Sequence, residues 1–296
     1  MEPPKSSLSP LQRQSDVLTG RHLYKLPVDV SAVAGAGKKK GDDVAMLLST
    51  EDVDKWLEGL GASIHKYPTQ YGTLWCLVQD LWIVASLRVG LVWEQHYFES
   101  FLVNHIIDSK VALDVGAHIG GHTLMWCHMN PELEVLAFEP QKVIYALLAK
   151  NVSDNKLDGR VKCYNNAVGH TQSSVKMHHS VEGREVQYGT EQAVNYGGIG
   201  LGERGEDAIM VSLDALDLPR VDFIKIDVEG AEGMVLLGAQ ETIAKFRPVI
   251  FIEHTQKRVN LSEDKRANKP LALLDVWDYD VKYVGDGNWI CLPYLQ

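Results

Sequence analysis

Residues 111–123 read Val111-Ala112-Leu113-Asp114-Val115-Gly116-Ala117-His118-Ile119-Gly120-Gly121-His122-Thr123, and this run decides the fold. Five residues, apolar except for Asp114, have the length of a buried strand. Glycines follow, and a helical stretch over 122–128 comes next. Gly116 and Gly120 let the backbone turn tightly and approach a ligand where side chains would obstruct it. The helix start beyond them offers unpaired N–H groups. A strand that hands over to a helix through such a loop is the cofactor corner of a doubly wound α/β protein. The spacing is GxxxGG rather than the GxGxxG of a nicotinamide site.

Working outward, further apolar strands are predicted at 135–138, 161–164, 223–226 and 249–252, with helices at 142–155 and 232–246. Near-continuous apolar strands separated by helices predict a mostly parallel sheet covered on both faces. Glu139 ends the second strand, where a carboxylate can accept both hydroxyls of a ribose. Upstream, 93–107 reads as an amphipathic helix, and apolar runs at 74–78 and 82–84 read as two strands. A helix over 44–60, with Ser49 or Thr50 as N-cap, completes a small N-terminal α/β cap over 44–92. Residues 93–296 form the main domain. A polar, Gly-rich insertion at 170–210, including His178 and His179, is expected to fold over the ligand site as a flexible lid. The C-terminus returns to strands around an Asp286-Gly287 turn.

Residues 1–43, rich in Pro, Ser, Gly and Lys, are expected to be a disordered or extended tail. The chain of 296 residues is 45% apolar and 23% charged, with a net charge of −10, the balance of a soluble globular protein. That charge argues against a nucleic-acid backbone as partner. Cys76, Cys127, Cys163 and Cys291 are far apart and suggest neither a zinc site nor a disulfide framework. There is no secretory signal, and Gln79, Asp80 and Arg88 break the most apolar stretch, 74–93, so no membrane span and a cytoplasmic location are expected.

The segment Asp114–Thr123 resembles motif I of class I S-adenosylmethionine-dependent methyltransferases, in the form used by the FkbM family. A second string is similar to that family's hallmark: Ile224-Lys225-Ile226-Asp227-Val228-Glu229-Gly230-Ala231-Glu232, then Val235-Leu236-Leu237-Gly238-Ala239, Arg247-Pro248 and Ile252-Glu253-His254. Asn195-Tyr196-Gly197-Gly198 and Leu213-Asp214-Ala215-Leu216 also resemble family features. The resemblance covers residues 94–254; the first 90 residues carry none.

The resemblance implies a Rossmann-like fold with a seven-stranded sheet and transfer of a methyl group from S-adenosylmethionine to a hydroxyl of a sugar, glycan or related polyhydroxylated small molecule. It implies cofactor contacts from Glu94, Asp114, Gly116, Ala117, His118, Gly120, Thr123, Glu139, Pro140 with Gln141, Asn166, Ala167 and Asp227. Asn195, Gly197, Gly198 and Glu229 are implied on the acceptor side. A sugar hydroxyl is a poor nucleophile at neutral pH, so a general base is expected at the C-terminal strand ends. Asp227, Glu229, Glu253 and His254 are the candidates, with His118 and His122 next; His122 also reads as a solvent-facing side chain. Carboxylates at 227, 229 and 253 suit a hard cation, but no second diagnostic cluster accompanies them and no metal is assigned. Two competing readings are RNA ribose 2'-O-methylation, opposed by the acidic charge, and a non-catalytic cofactor-binding module, opposed by the intact carboxylate set. Acceptor identity and oligomeric state stay open.

Overall fold

The computed structural model describes residues 57–58, 63–178, 180–181, 184–185, 194–254 and 269–294. Most of the helix expected over 44–60, the tail before it, and His179 lie outside these. No helix among the described residues is long and apolar enough to cross a membrane.

Strands β1 (Ile64–Thr69) and β2 (Gly72–Leu77) pair as an antiparallel hairpin. Residues 82–84, expected as a strand, belong instead to helix α1 (Leu81–Leu87). Asp80 caps it by accepting from the Ile83 N–H, and Val84 and Leu87, three apart, are its buried face. A cap plus that spacing outweighs the strand preference of two β-branched residues.

The helix expected over 93–107 is present in three pieces. They are α2 (Gln95–Tyr97), a π-helical turn (Phe98–Leu102) and α3 (Val103–Asp108). Phe98 in the π turn is fully buried, with ring centroids of His122, Trp126 and Phe251 at 4.8, 5.4 and 5.1 Å.

Next come β3 (Val111–Val115), α4 (Gly121–Met129), β4 (Glu134–Phe138), α5 (Lys142–Asp154) and β5 (Val161–Tyr164). After these the chain forms β6 (Asn166–Val168), β7 (Ser173–His178), β8 (Ser180–Val181), β9 (Arg184–Glu185), a 3-10 turn (Tyr196–Gly198), β10 (Leu201–Gly202) and β11 (Gly205–Val211). The final elements are β12 (Phe223–Ile226), α6 (Glu232–Leu237), α7 (Gln240–Phe246), β13 (Val249–Glu253), α8 (Pro270–Val276), β14 (Tyr279–Gly285) and β15 (Asn288–Pro293). The single helix expected over 232–246 is broken at Gly238. A Cβ there would lie 1.9 Å from the Gly169 carbonyl oxygen, so only glycine lets the chain pass this close to that loop.

The main sheet has seven strands in the order β14-β15-β13-β12-β3-β4-β5. The pairs β13–β12, β12–β3, β3–β4 and β4–β5 are parallel, and β15 is antiparallel to both its neighbours. This is the Rossmann-like architecture expected, and its strand order reverses between β3 and β12. Alternate residues feed opposite cores. Ala112, Phe223 and Phe251 face one cluster with Leu124, Trp126 and Leu147; Leu113, Ile224, Ile226, Ile250 and Ile252 face the other with Val235, Leu236 and Leu274.

The described part of the insertion, expected as a flexible lid, carries strands and a buried aromatic. Strands β6, β7, β10 and β11 form a second sheet of order β10-β7-β11-β6, and Tyr196 is fully buried. The hairpin joins the first core through Leu74, Cys76 and Leu77. Asn151 of α5 and Asn155, which caps its C-terminus, act as a neighbouring strand for β2. Asn151 Oδ1 accepts from Trp75 N–H at 2.6 Å, and its Nδ2 donates to the carbonyls of Trp75 and Ile119 at 3.0 and 2.8 Å. Asn155 makes the matching pair with Thr73.

Asn151 therefore clamps the hairpin to the glycine loop. Replacing it with Ala strands three backbone groups, at about 1–3 kcal/mol for a buried group left unpaired. Urea unfolding of Asn151→Ala is expected to show a loss of about 3–5 kcal/mol, the lower part of that sum because water reaches some of the freed groups.

Candidate active site

A cavity of about 740 Å³ runs across the C-terminal ends of β4, β3, β12 and β13, at the point where the strand order reverses. That is where doubly wound sheets bind their ligands. Among the expected cofactor residues, Glu94, Gly116, Ala117, His118, Glu139, Pro140, Asn166, Ala167 and Asp227 line it, and so does Gln141. Glu229, Glu253, Asn195 and Gly197 line it as well.

Five expected residues are not in its wall. Asp114 is fully buried, accepting from the Thr123 hydroxyl at 2.6 Å, so this pair braces the loop from behind. Gly120, at φ +85, caps α4, and a Cβ there would press on Leu148 at 2.7 Å. Gly198 turns away, its N–H held by Asn195 Oδ1 at 3.1 Å. His254 follows Glu253 on the other side of the strand, with Nδ1 3.4 Å from Glu232 Oε2. His178 packs its ring against Gly202 and is likewise outside the wall.

Glu139 is buried at the end of β4, with its oxygens accepting from the His118 and Gln141 N–H groups at 3.0 and 2.8 Å. Burial pushes its carboxyl up to about 6, against the opposing pull of His118 and these N–H bonds. His118, at φ +50, points its Nε2 toward the buried Asp80 at 3.3 Å. Burial disfavours its charge, but Asp80 and Glu139 outweigh that and raise its pKa. Asp80 thus joins the start of α1 to the glycine loop.

The opposite end of the cavity is a cluster of carboxylates around one ammonium. Lys225 is buried, with Nζ donating to the Gly116 carbonyl at 2.7 Å and lying 3.2 Å from Asp227 Oδ2 and 3.6 Å from Asp114 Oδ1. Burial works against its charge, yet Asp227, Asp114 and Glu94 hold the ammonium above the ordinary lysine range. Burial also opposes ionisation of Asp227, but Lys225 and a hydrogen bond from Glu253 keep it below the usual range. Glu253 is driven the other way, well above the carboxylate range, by burial and then by Asp227. Glu94 rises to about 7 by burial and the charge of Asp227, with Oε1 accepting from Asn288 Nδ2 at 2.6 Å.

Asp227, Glu229 and Glu253 each bring one oxygen within 4.8 Å of the others, while Lys225 already supplies the positive charge beside Asp227. His122 is buried rather than solvent-facing. Its Nε2 donates to the Trp93 carbonyl at 2.9 Å and its ring stacks on Trp126. Burial, then Lys225, lowers it to about 4, so it is neutral at physiological pH.

Sequence reasoning gave Lys225 no role. The available signal was a lone cation inside the apolar strand Phe223–Ile226. It also passed over Trp82 and Trp93, which line the cavity although both are exposed.

Residues 114–269 match the model of the methyltransferase FkbM domain. No curated protein matches the chain in sequence. Among solved structures, the chain is similar to methyltransferase FkbM from Methylobacillus flagellatus KT, with 16% identity and a TM-score of 0.43, over 80% of this chain and 58% of that one. It is also similar to the O-methyltransferase TomG from Streptomyces achromogenes, a protein involved in tomaymycin synthesis and solved in complex with SAM. There the identity is 11% and the TM-score 0.44, over 83% of this chain and 99% of that one. The chain spans less than two thirds of the length of the first.

The raised pKa of Glu253 has a measurable consequence. A carboxyl that ionises at 4.5 when unfolded but stays protonated when folded costs stability as pH rises above 4.5, until the folded group ionises too. Glu253→Gln mimics the protonated form and removes that loss. Thermal melts of the ligand-free protein are expected to show the variant gaining several degrees over wild type at pH 8 and little at pH 5.

Proposed function

The chain belongs to the FkbM methyltransferase family, and from that premise we propose that it transfers a methyl group from S-adenosylmethionine to a hydroxyl of a sugar, glycan or related polyhydroxylated small molecule. The observation that carries this reading is the division of one cavity between a ribose-type acceptor, Glu139, and a carboxylate cluster that outnumbers its single ammonium.

The donor set fits the co-substrate. Glu139 and the Gly116-Ala117 loop would hold the nucleoside, with Pro140, Gln141, Asn166 and Ala167 bordering the base. Glu94 and Asp227 would offset the positive charge of the methionine end. When bound, S-adenosylmethionine supplies an electrophilic methyl on a positively charged sulfur. The cavity residues hold the acceptor oxygen in line with it, and that positioning supplies much of the rate.

Supporting a base at Asp227 is its place: it lines the cavity beside Lys225 and Glu253, and it is kept ionised while Glu253 is not. Two carboxyls pushed apart in this way take separate roles: one ionised and able to accept the hydroxyl proton, the other protonated and donating a hydrogen bond. Asp227 is the base in this reading. His254, braced behind Glu232, is not. The excess of carboxylates also repels phosphates, which weighs against RNA as the acceptor.

Two measurements test the reading. In calorimetric titration, S-adenosylhomocysteine is expected to bind the wild type in the micromolar range and to lose most of its affinity in Glu139→Ala; equal titrations of two folded proteins overturn the nucleoside assignment. In a tritiated-methyl transfer screen of monosaccharides, nucleoside-diphosphate sugars and oligosaccharides, Asp227→Asn is expected to lower kcat by roughly 10²–10⁴-fold, the usual contribution of a general base. His254→Ala is expected to stay close to wild type.

A further inference from the structure

Three large apolar side chains of the cavity wall are unusually open to solvent: Trp82 at 55%, Leu91 at 47% and Trp93 at 41%. None of the three joins a hydrophobic core cluster. With Ile83, Leu87 and Val92, which also line the cavity and are anchored in the first core, they make this stretch of the wall apolar up to Glu94. An apolar surface of this kind at the mouth of a cavity marks a binding surface.

The rim is continuous with the reacting end. Val92 Cγ1 lies 3.0 Å from the position of a Cβ on Gly121, at the start of α4. The Trp93 carbonyl receives the His122 hydrogen bond, and the next residue, Glu94, feels the charges of Asp227 and Lys225. The cavity therefore changes from carboxylate to hydrocarbon within a few residues of chain. A polar molecule alone would leave the rim wet, and an apolar one alone would leave the carboxylates without partners.

We propose that the methyl acceptor is amphipathic. A polyhydroxylated head presents its hydroxyl to Asp227 and Glu253, and an alkyl or aromatic body lies across Trp82, Leu91 and Trp93. This deepens, and rests on, the hydroxyl-directed methyl transfer proposed above.

The test uses the full chain saturated with S-adenosylhomocysteine, titrated calorimetrically with methyl, butyl and hexyl β-D-glucopyranoside. Affinity is expected to rise with chain length, by up to about fourfold for each methylene that the rim buries. The double variant Trp82→Ser, Trp93→Ser is expected to flatten that rise and weaken hexyl glucoside binding at least about tenfold, the worth of two such methylenes, with S-adenosylhomocysteine affinity unchanged. A flat chain-length series in the wild type overturns the proposal. So does a flat series accompanied by tryptophan-dependent binding to phosphatidylcholine vesicles, which assigns the rim to a membrane surface, or by tryptophan-dependent dimerisation, which assigns it to a second copy. Chain-length-dependent binding without methyl transfer to any glycoside supports the rim and counts against the activity reading, so the two failures are distinct.

Discussion

One buried ammonium ties together the two strands on either side of the switch point. Lys225 is the register partner of Asp114, and its Nζ reaches past it to the Gly116 carbonyl and to Asp227. A cation taken out of water is costly unless it is paired and hydrogen-bonded, and here three oxygens from the ends of the two strands surround it. The glycine loop is thereby drawn against the end of β12. Gly116, at φ +79, would place a Cβ 1.8 Å from the Asp227 carbonyl oxygen, so only glycine permits that approach. The floor of the cavity depends on this contact.

Lys225 also sets the electrostatics of the reacting end. It faces Asp227, Asp114 and Glu94, and with Glu253 beside Asp227 the single ammonium cannot compensate every carboxylate in ionised form. The cluster answers by dividing its protons, with Asp227 ionised and Glu253 protonated. Such a site has an intrinsic demand for positive charge, which the proposed co-substrate, with its sulfonium and ammonium, would meet. The other end, where Glu139 is fixed by two backbone N–H groups, is built for directional hydrogen bonding instead.

The hairpin and α1 give the site its outer wall. Asn151 and Asn155 imitate a sheet edge for β2, and Asp80 both caps α1 and meets His118. These contacts span long stretches of chain, and they explain why the N-terminal segment shares its hydrophobic core with α4 and α5. Its apolar surplus emerges at Trp82, Leu91 and Trp93, where the packed wall becomes the rim of the cavity.

The five parallel strands at the centre and the glycine turn were legible from the sequence because their signals are local: apolar runs of strand length, glycines at a strand end, a carboxylate after the second strand. Residues 225, 227, 251 and 253 share a face once the register is known. Other features needed the folded chain. Whether 82–84 forms a strand or a helix turned on an Asp80 cap and on which neighbours bury Val84 and Leu87. That Glu253 enters the cavity while His254 leans on Glu232 depends on the pleat of β13 and on the position of α6. That Gly238 must lack a side chain is dictated by Gly169, far away in sequence. Local propensity and spacing act over a few residues and can be read in order. Side-chain direction, burial and the sharing of protons among Asp227, Glu253 and Lys225 arise from distant segments brought together, and only the tertiary structure decided them.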